Sequence, residues 1–160
     1  MPGWKKICCA VDLSACSYDA VRAAATLARQ LDAELVLFHA WVREPMGASE
    51  ALFAQPELRE ETLLEDRRLL EGWQRLAAEV RGSPVEMVLE PGRNPARAIA
   101  AFANRAACDL LVLGTHGRRG LGRALRGSVA AKTSRLARCS LLIVRPTPEE
   151  VASSLGALAT

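Results

Sequence analysis

The chain is predicted to be one α/β domain: a doubly wound, five-stranded parallel sheet with helices on both faces. Short apolar runs of about five residues alternate with longer stretches whose apolar residues recur at helical spacing. The short runs are almost continuous in Leu, Val, Ile and Cys, as strands buried on both faces must be. Clusters of Gly and Pro separate the segments. Strands alternating with helices require crossover connections, and crossovers of one hand give a parallel sheet covered on both sides.

Ile7 to Val11 is the first strand, with lysines before it and Asp12 after it. Ser14 to Leu31 is a helix with Ala20, Val21, Ala24, Leu27, Ala28 and Leu31 on one face, and Ser14 or Ser17 is placed to cap it. Glu34 to Trp41 is the second strand. Val42 to Pro56 carries Pro45, Gly47 and Pro56 and reads as a loop, long enough to be a lid or a partner surface.

Helical spacing returns from Glu57 to about Arg81. Leu63, Leu70, Trp73, Leu76, Ala77 and Val80 form the apolar stripe, and Glu60, Glu61, Glu65, Arg67, Arg68 and Glu71 the wet face. Gly82-Ser83-Pro84 ends that helix. Val85 to Leu89 is the third strand, and Pro91 to Pro95 a turn in which Asn94 caps and Pro95 starts the next helix, Ala96 to Ala107. Asp109 to Leu113 is the fourth strand, Ser128 to Ala137 the fourth helix, and Ser140 to Val144 the fifth strand. Residues 1–146 form the domain and 147–160 a tail.

At 160 residues the chain is the size of one ordinary domain. Half of it is apolar and only 4% aromatic, so Ala, Leu, Val and Ile fill the core. A net charge of +3 does not argue for a nucleic-acid protein. The five cysteines, Cys8, Cys9, Cys16, Cys108 and Cys139, include no CxxC pair and fit free thiols in a reducing cytoplasm. The N-terminus lacks the apolar stretch of a signal peptide, and no run reaches the roughly 18 apolar residues of a membrane span. A cytoplasmic protein is expected.

The chemistry is concentrated after the fourth strand. Gly114, Gly117, Gly120, Gly122 and Gly127 fall within fourteen residues that lead into a helix near Ser128. Glycines let consecutive backbone N–H groups turn toward an anion, and a helix N-terminus adds unpaired N–H groups and a positive dipole end. That combination can hold a polyphosphate. The loop is not a P-loop, because no Gly-Lys-Ser/Thr closes it, and Gly117, Gly120 and Gly122 make only a loose dinucleotide pattern. In such sheets the ligand crevice lies at the carboxyl ends of the strands, just after Val11, Trp41, Leu89 and Leu113.

Gly114-x-x-Gly117, nine residues, then Gly127-Ser128 resembles the nucleotide-binding signature of the universal stress protein family. The flanks agree: Asp109 to Arg118, Gly127 to Ala130, Val11-Asp12-x-Ser14, Gly92 to Ile99 and Cys139 to Arg145 are similar to that family. The resemblance implies strand order 3-2-1-4-5, a dimer, and ATP or AMP between the first and fourth strands, with Mg2+ or Mn2+ as companion. By motif, Ala10, Val11 and Ala40 would meet the base. Asp12 would meet the nucleoside or a nucleotide-bound metal. Leu113 and Gly114 would line the ribose side, and Gly117, Gly127, Ser128 and Val129 would hold the phosphates. His116 matches a family histidine. Ala40, Ala131 and Ser140 depart from a common Val, Glu and Pro, which bears on base affinity and the dimer rather than on the phosphate loop.

Other residues are weighed against plainer roles. Asp12 could serve only as a turn or cap residue. His116 has no paired nucleophile or carboxylate nearby, so it is expected to shape the loop or touch phosphate. Arg118 is the arginine chosen to approach the phosphates, from a cluster with Arg119, Arg123 and Arg126 that otherwise reads as solvated surface. No aromatic platform accompanies that cluster, so nucleic acid is not expected as a partner. His39 reads as a packed core or interface residue, and Trp41 either flanks the base or packs at the strand end. Cys8 and Cys9 point to opposite faces of a buried strand. The last strand, around Leu141 and Ile143, is an edge that a two-fold homodimer would cover. Three functions follow: a nucleotide-binding stress or signalling protein with slow or no hydrolysis, a weak ATPase, or a dimeric interaction module that needs no nucleotide.

Overall fold

The computed structural model describes residues 3–14, 17–42, 56–115 and 129–145. Within them the strands are β1 (Lys6–Ala10), β2 (Glu34–Val42), β3 (Glu86–Gly92), β4 (Leu110–Gly114) and β5 (Ser140–Val144). The helices are α1 (Ser17–Leu31), α2 (Pro56–Arg81), α3 (Pro95–Arg105) and α4 (Val129–Leu136). All strand pairs are parallel, in the order β3-β2-β1-β4-β5. The expected fold class and strand order are both present.

Side chains alternate across a strand, so a buried sheet feeds two cores. Ile7, Cys9, Leu35, Leu37, Leu110 and Val112 pack against α1 and α2, where Ala20, Ala24, Leu70, Trp73 and Ala77 meet them. Cys8, Val36, Phe38, Leu111 and Leu113 pack on the other side, against Ile99, Phe102 and Ala103 of α3 and Ala130 of α4. Cys8 and Cys9 thus face opposite cores, and burial pushes the Cys9 thiol up to about 12. The Phe38 and Phe102 rings stack with centroids 4.5 Å apart and planes 15° from parallel. Burying each of the large side chains in these cores is worth about 1.5–3 kcal/mol. The alanines of α1 let that helix lie close to the sheet: Ala20, Ala24 and Ala25 have no exposed surface.

The helices are delivered into the strands by the same device. At the end of α1, the Ala33 amide donates to the Ala28 carbonyl and Asp32 takes φ +51°; at the end of α3, the Cys108 amide donates to the Ala103 carbonyl and Ala107 takes φ +53°. Each is a Schellman-type end with a non-glycine in the left-handed position. The sequence reading extended α3 to Ala107; the left-handed turn ends it at Arg105. At its start, Asn94 Oδ1 accepts from the Arg97 amide and Pro95 is the first helical residue, as expected.

β3 runs further than its sequence suggested. Pro91 and Gly92, read as a turn, pair with Trp41 and Val42 of β2. Proline is tolerated there because β3 is an edge strand. The tail (147–160) and residues 43–55 of the expected loop lie outside the described residues.

Candidate functional site

β1 connects to β2 on one side, whereas β4 lies on its other side, so the order reverses between β1 and β4. Their carboxyl ends open the crevice in which ligands of doubly wound sheets bind. Ala10 lies in register with Phe38 of β2 and Leu113 of β4. Ala10, Ala40 and Leu113 share one face of the sheet with Ala130 of α4, and all four are buried. Together they make an apolar wall near the carboxyl ends of three adjacent strands.

Val11 takes the opposite face: its side chain is buried in the core against α1 and α2. At the crevice end of β1 the Val11 backbone is committed to the fold. Its amide donates to the Phe38 carbonyl at 2.9 Å, and its carbonyl lies 2.8 Å from His39 Nδ1. His39 is therefore a packed residue, as read from the sequence, but one that holds the end of β1. Trp41 is half-buried and in register with Pro91.

Asp12 is exposed just past β1. Its Oδ1 accepts from the Ser14 amide (3.0 Å), the Ser14 hydroxyl (2.6 Å) and the Ser17 hydroxyl (2.7 Å), and its own amide donates to Ser17 Oγ at 3.0 Å. The two serines expected as helix caps instead brace Asp12. The brace holds Leu13 at φ +63°, a left-handed conformation that a branched side chain adopts only under restraint. The carboxylate is thus fixed at the crevice mouth between β1 and the start of α1.

On the β4 side, Gly114 is in register with Val144, and the Thr115 amide donates to the Val144 carbonyl at 3.0 Å. Val129 begins α4 and is exposed. His116, Gly117, Arg118, Gly127 and Ser128, with Arg119, Arg123 and Arg126, lie outside the described residues. The structure therefore brings together Ala10, Val11, Asp12, Ala40, Leu113 and Gly114.

Two residues absent from the sequence reading join this region. The hydroxyls of Thr115, directly after Gly114, and Thr133, on the inner side of α4, are buried and have no hydrogen-bond partner among the described residues. An unpaired buried hydroxyl costs about 1–3 kcal/mol. Both flank the glycine-rich segment in sequence, and a polar ligand or ordered water would satisfy them. Nothing in a lone Thr next to a glycine signals this; it follows from burial alone.

Among the described residues no group of three or more His, Cys, Asp or Glu could hold a metal ion, and no helix is long and apolar enough to cross a membrane. The Asp109 carboxylate, at the opposite end of the sheet, accepts from the Lys5 and Lys6 amides at 2.8 Å each, which holds it below the usual carboxylate range. It belongs to the fold rather than to the crevice.

Comparison with known proteins agrees with this architecture. Residues 3–145 match the model of the Universal stress protein family. Universal stress protein YxiE of Bacillus subtilis is 33% identical over 150 residues, covering 89% of this chain and 99% of the relative. Universal stress protein MJ0531 of Methanocaldococcus jannaschii is 30% identical over 154 residues, covering 92% and 85%. Universal stress protein UspA from Lactobacillus plantarum superposes with a TM-score of 0.73 at 20% identity, covering 91% of this chain and all of that one (100%). A universal stress protein in complex with cAMP gives 0.65 at 24% identity, covering 91% and 99%. The Archaeoglobus fulgidus universal stress protein in complex with dAMP gives 0.62 at 21% identity, covering 88% and 98%. The match across nearly all of the described fold, with two relatives at 30% identity or more, places the chain in the universal stress protein family.

Proposed function

We propose that this protein binds an adenine nucleotide in the crevice between β1 and β4 and uses occupancy as a signal in stress adaptation, with slow hydrolysis or none. One observation carries the reading: a wall of apolar side chains, Ala10, Ala40 and Leu113, lies at the same strand ends as the braced Asp12 carboxylate and the buried Thr115 hydroxyl, which has no partner among the described residues. The wall suits the face of a purine, the carboxylate a ribose hydroxyl, and the hydroxyl a polar ligand atom. The glycine-rich run from Gly114 to Ser128 begins where the phosphates of such a ligand would lie. That two structural relatives are described in complex with cAMP and dAMP supports adenine as the base.

ATP and AMP remain equal candidates on this geometry. A divalent ion, Mg2+ or Mn2+, fits as a companion of the nucleotide at Asp12 and would supply charge neutralisation of the phosphates. The protein's own contribution is to bind and orient, through the apolar wall, the Asp12 carboxylate and N–H groups of the glycine-rich run. No acid–base pair for fast turnover is part of the proposal. Cys8, Cys9, Cys108 and Cys139 are free thiols, which suits a reducing cytoplasm.

Isothermal titration with ATP, AMP and GTP tests the reading. Binding of ATP or AMP in the micromolar range, tighter than GTP and lost in Gly117→Val, is expected. No heat from either adenine nucleotide at millimolar concentration would overturn it.

A homodimer through β5 belongs to the same proposal. Among the described strands β5 pairs only with β4, and Ile143 is 37% exposed on it. Isologous pairing of two such edges closes on itself. Sedimentation should give twice the chain mass, and Ile143→Lys should shift it toward the monomer.

A further inference from the structure

His39 lies on β2 between Phe38 and Ala40, whose side chains take the face of α3 and α4. Alternation sends the His39 ring to the opposite face, toward α2. There Nδ1 is 2.8 Å from the Val11 carbonyl oxygen, and Nε2 is 3.6 Å from Asp66 Oδ2 of α2. The two side chains are only 12% and 20% exposed.

The chemistry of the partners fixes the tautomer. A carbonyl oxygen only accepts, so the nitrogen facing Val11 carries hydrogen. In a neutral ring Nε2 is then a bare lone pair aimed at a carboxylate oxygen. Two acceptors in a nearly dry site repel, and one proton between them turns the repulsion into a charge-assisted contact. Burial raises the Asp66 carboxyl above the usual range, and the neighbouring His39 charge opposes that rise. Glu65 on α2 adds negative charge at Asp66. Leu89 of β3, in register with His39, is apolar. Next to Val11, Asp12 Oδ1 is committed to Ser14 and Ser17. The first turns of α1 carry Asp19 and Arg22, the latter over the Tyr18 ring.

We propose that His39 is a positioning residue for the nucleotide crevice: an ion pair with Asp66 ties α2, through the imidazole, to the Val11 carbonyl at the crevice end of β1. Its functional consequence rests on the adenine-nucleotide reading of that crevice; the ion pair does not. The pair exists only while Nε2 carries a proton, so nucleotide affinity should fall where rising pH removes that proton.

Two measurements on the full chain test this. The first follows the imidazole nitrogens of the nucleotide-free protein by 1H–15N NMR between about pH 5 and pH 9, a window wide enough to span histidine titration. Nδ1 should carry hydrogen throughout. An Nε2–H neutral tautomer would overturn the proposal. The second is ATP titration at pH 6 and pH 8 with the wild type, His39→Gln, His39→Leu and Asp66→Asn. The wild type should bind more weakly at pH 8. Asp66→Asn, whose amide can donate to a neutral Nε2, should bind equally at both. His39→Leu should lose about three- to tenfold in affinity, the worth of one neutral hydrogen bond, and His39→Gln should recover part of it. Should His39→Leu fail to fold, Asp66→Asn and His39→Gln decide. Identical pH profiles for the wild type and Asp66→Asn, with both binding ATP, would overturn this proposal alone. A wild type that binds no ATP at either pH, with the Nδ1–H tautomer in place, would instead remove the nucleotide reading, and the positioning role with it.

Discussion

Gly92, at the end of β3, faces Ala98 in the first turns of α3 so closely that a Cβ on Gly92 would lie 2.9 Å from the Ala98 Cβ. Neither atom is the far end of a flexible side chain, so one backbone must move. The contact sets how tightly the strand turns into the helix that covers the Ala10–Leu113 face.

Gly92→Ala should therefore destabilise the protein by about 1–3 kcal/mol, the cost of overpacking a close contact. Urea unfolding followed by circular dichroism would measure it. The double variant Gly92→Ala, Ala98→Gly should recover part of the loss, since it removes the opposing Cβ, less about 1 kcal/mol for glycine in a helix.

The opposite sign is expected at Ala107. It holds φ +53° at the end of α3 and is exposed, so its methyl group packs against little. Ala107→Gly relieves the left-handed strain, worth about 1–2 kcal/mol, and gives back part of it as extra freedom of the unfolded chain. A net gain of up to about 1 kcal/mol follows, read as a higher urea midpoint with an unchanged slope.

Asp109 gives a pH dependence with a definite sign. Two backbone amides, of Lys5 and Lys6, favour its charged form, so its folded-state affinity for a proton is below that of the unfolded chain. A depressed carboxyl contributes stability that is complete above its unfolded value and is lost as pH falls through the folded one. Asp109→Ala should therefore lower the urea midpoint at pH 7, and the gap to the wild type should close in the acid range below ordinary carboxylate titration. A gap that persists unchanged at acid pH would point to packing instead.

Much of the fold was legible because its signals are local. Asn94-Pro95 announces a capped helix start by chemistry contained in four residues, and the structure has that cap. Cys8-Cys9 between apolar neighbours reads as a strand buried on both faces, and each thiol faces its own core. The end of β3 was harder: Pro91-Gly92 looks like a turn in one dimension and pairs with Trp41 and Val42 only because β3 lies at an edge. At the site, Ala10, Ala40 and Leu113 could be picked from strand ends and the family resemblance, since sheet topology determines where strand ends meet. The bracing of Asp12 by Ser17, the grip of His39 on Val11, and the burial of the Thr115 hydroxyl depend on folded distances between residues whose types carry no special pattern.

The central claim is that an adenine nucleotide occupies the crevice between β1 and β4. Amide chemical-shift mapping of the 15N-labelled chain during an ATP titration tests it most directly. The predicted result is saturable shifts concentrated at Ala10, Val11, Asp12, Ala40, Leu113, Gly114 and Thr115, with Lys5, Lys6 and Asp109 at the far end of the sheet unmoved. Shifts confined to that far end, or no saturable shifts up to millimolar ATP, would contradict it.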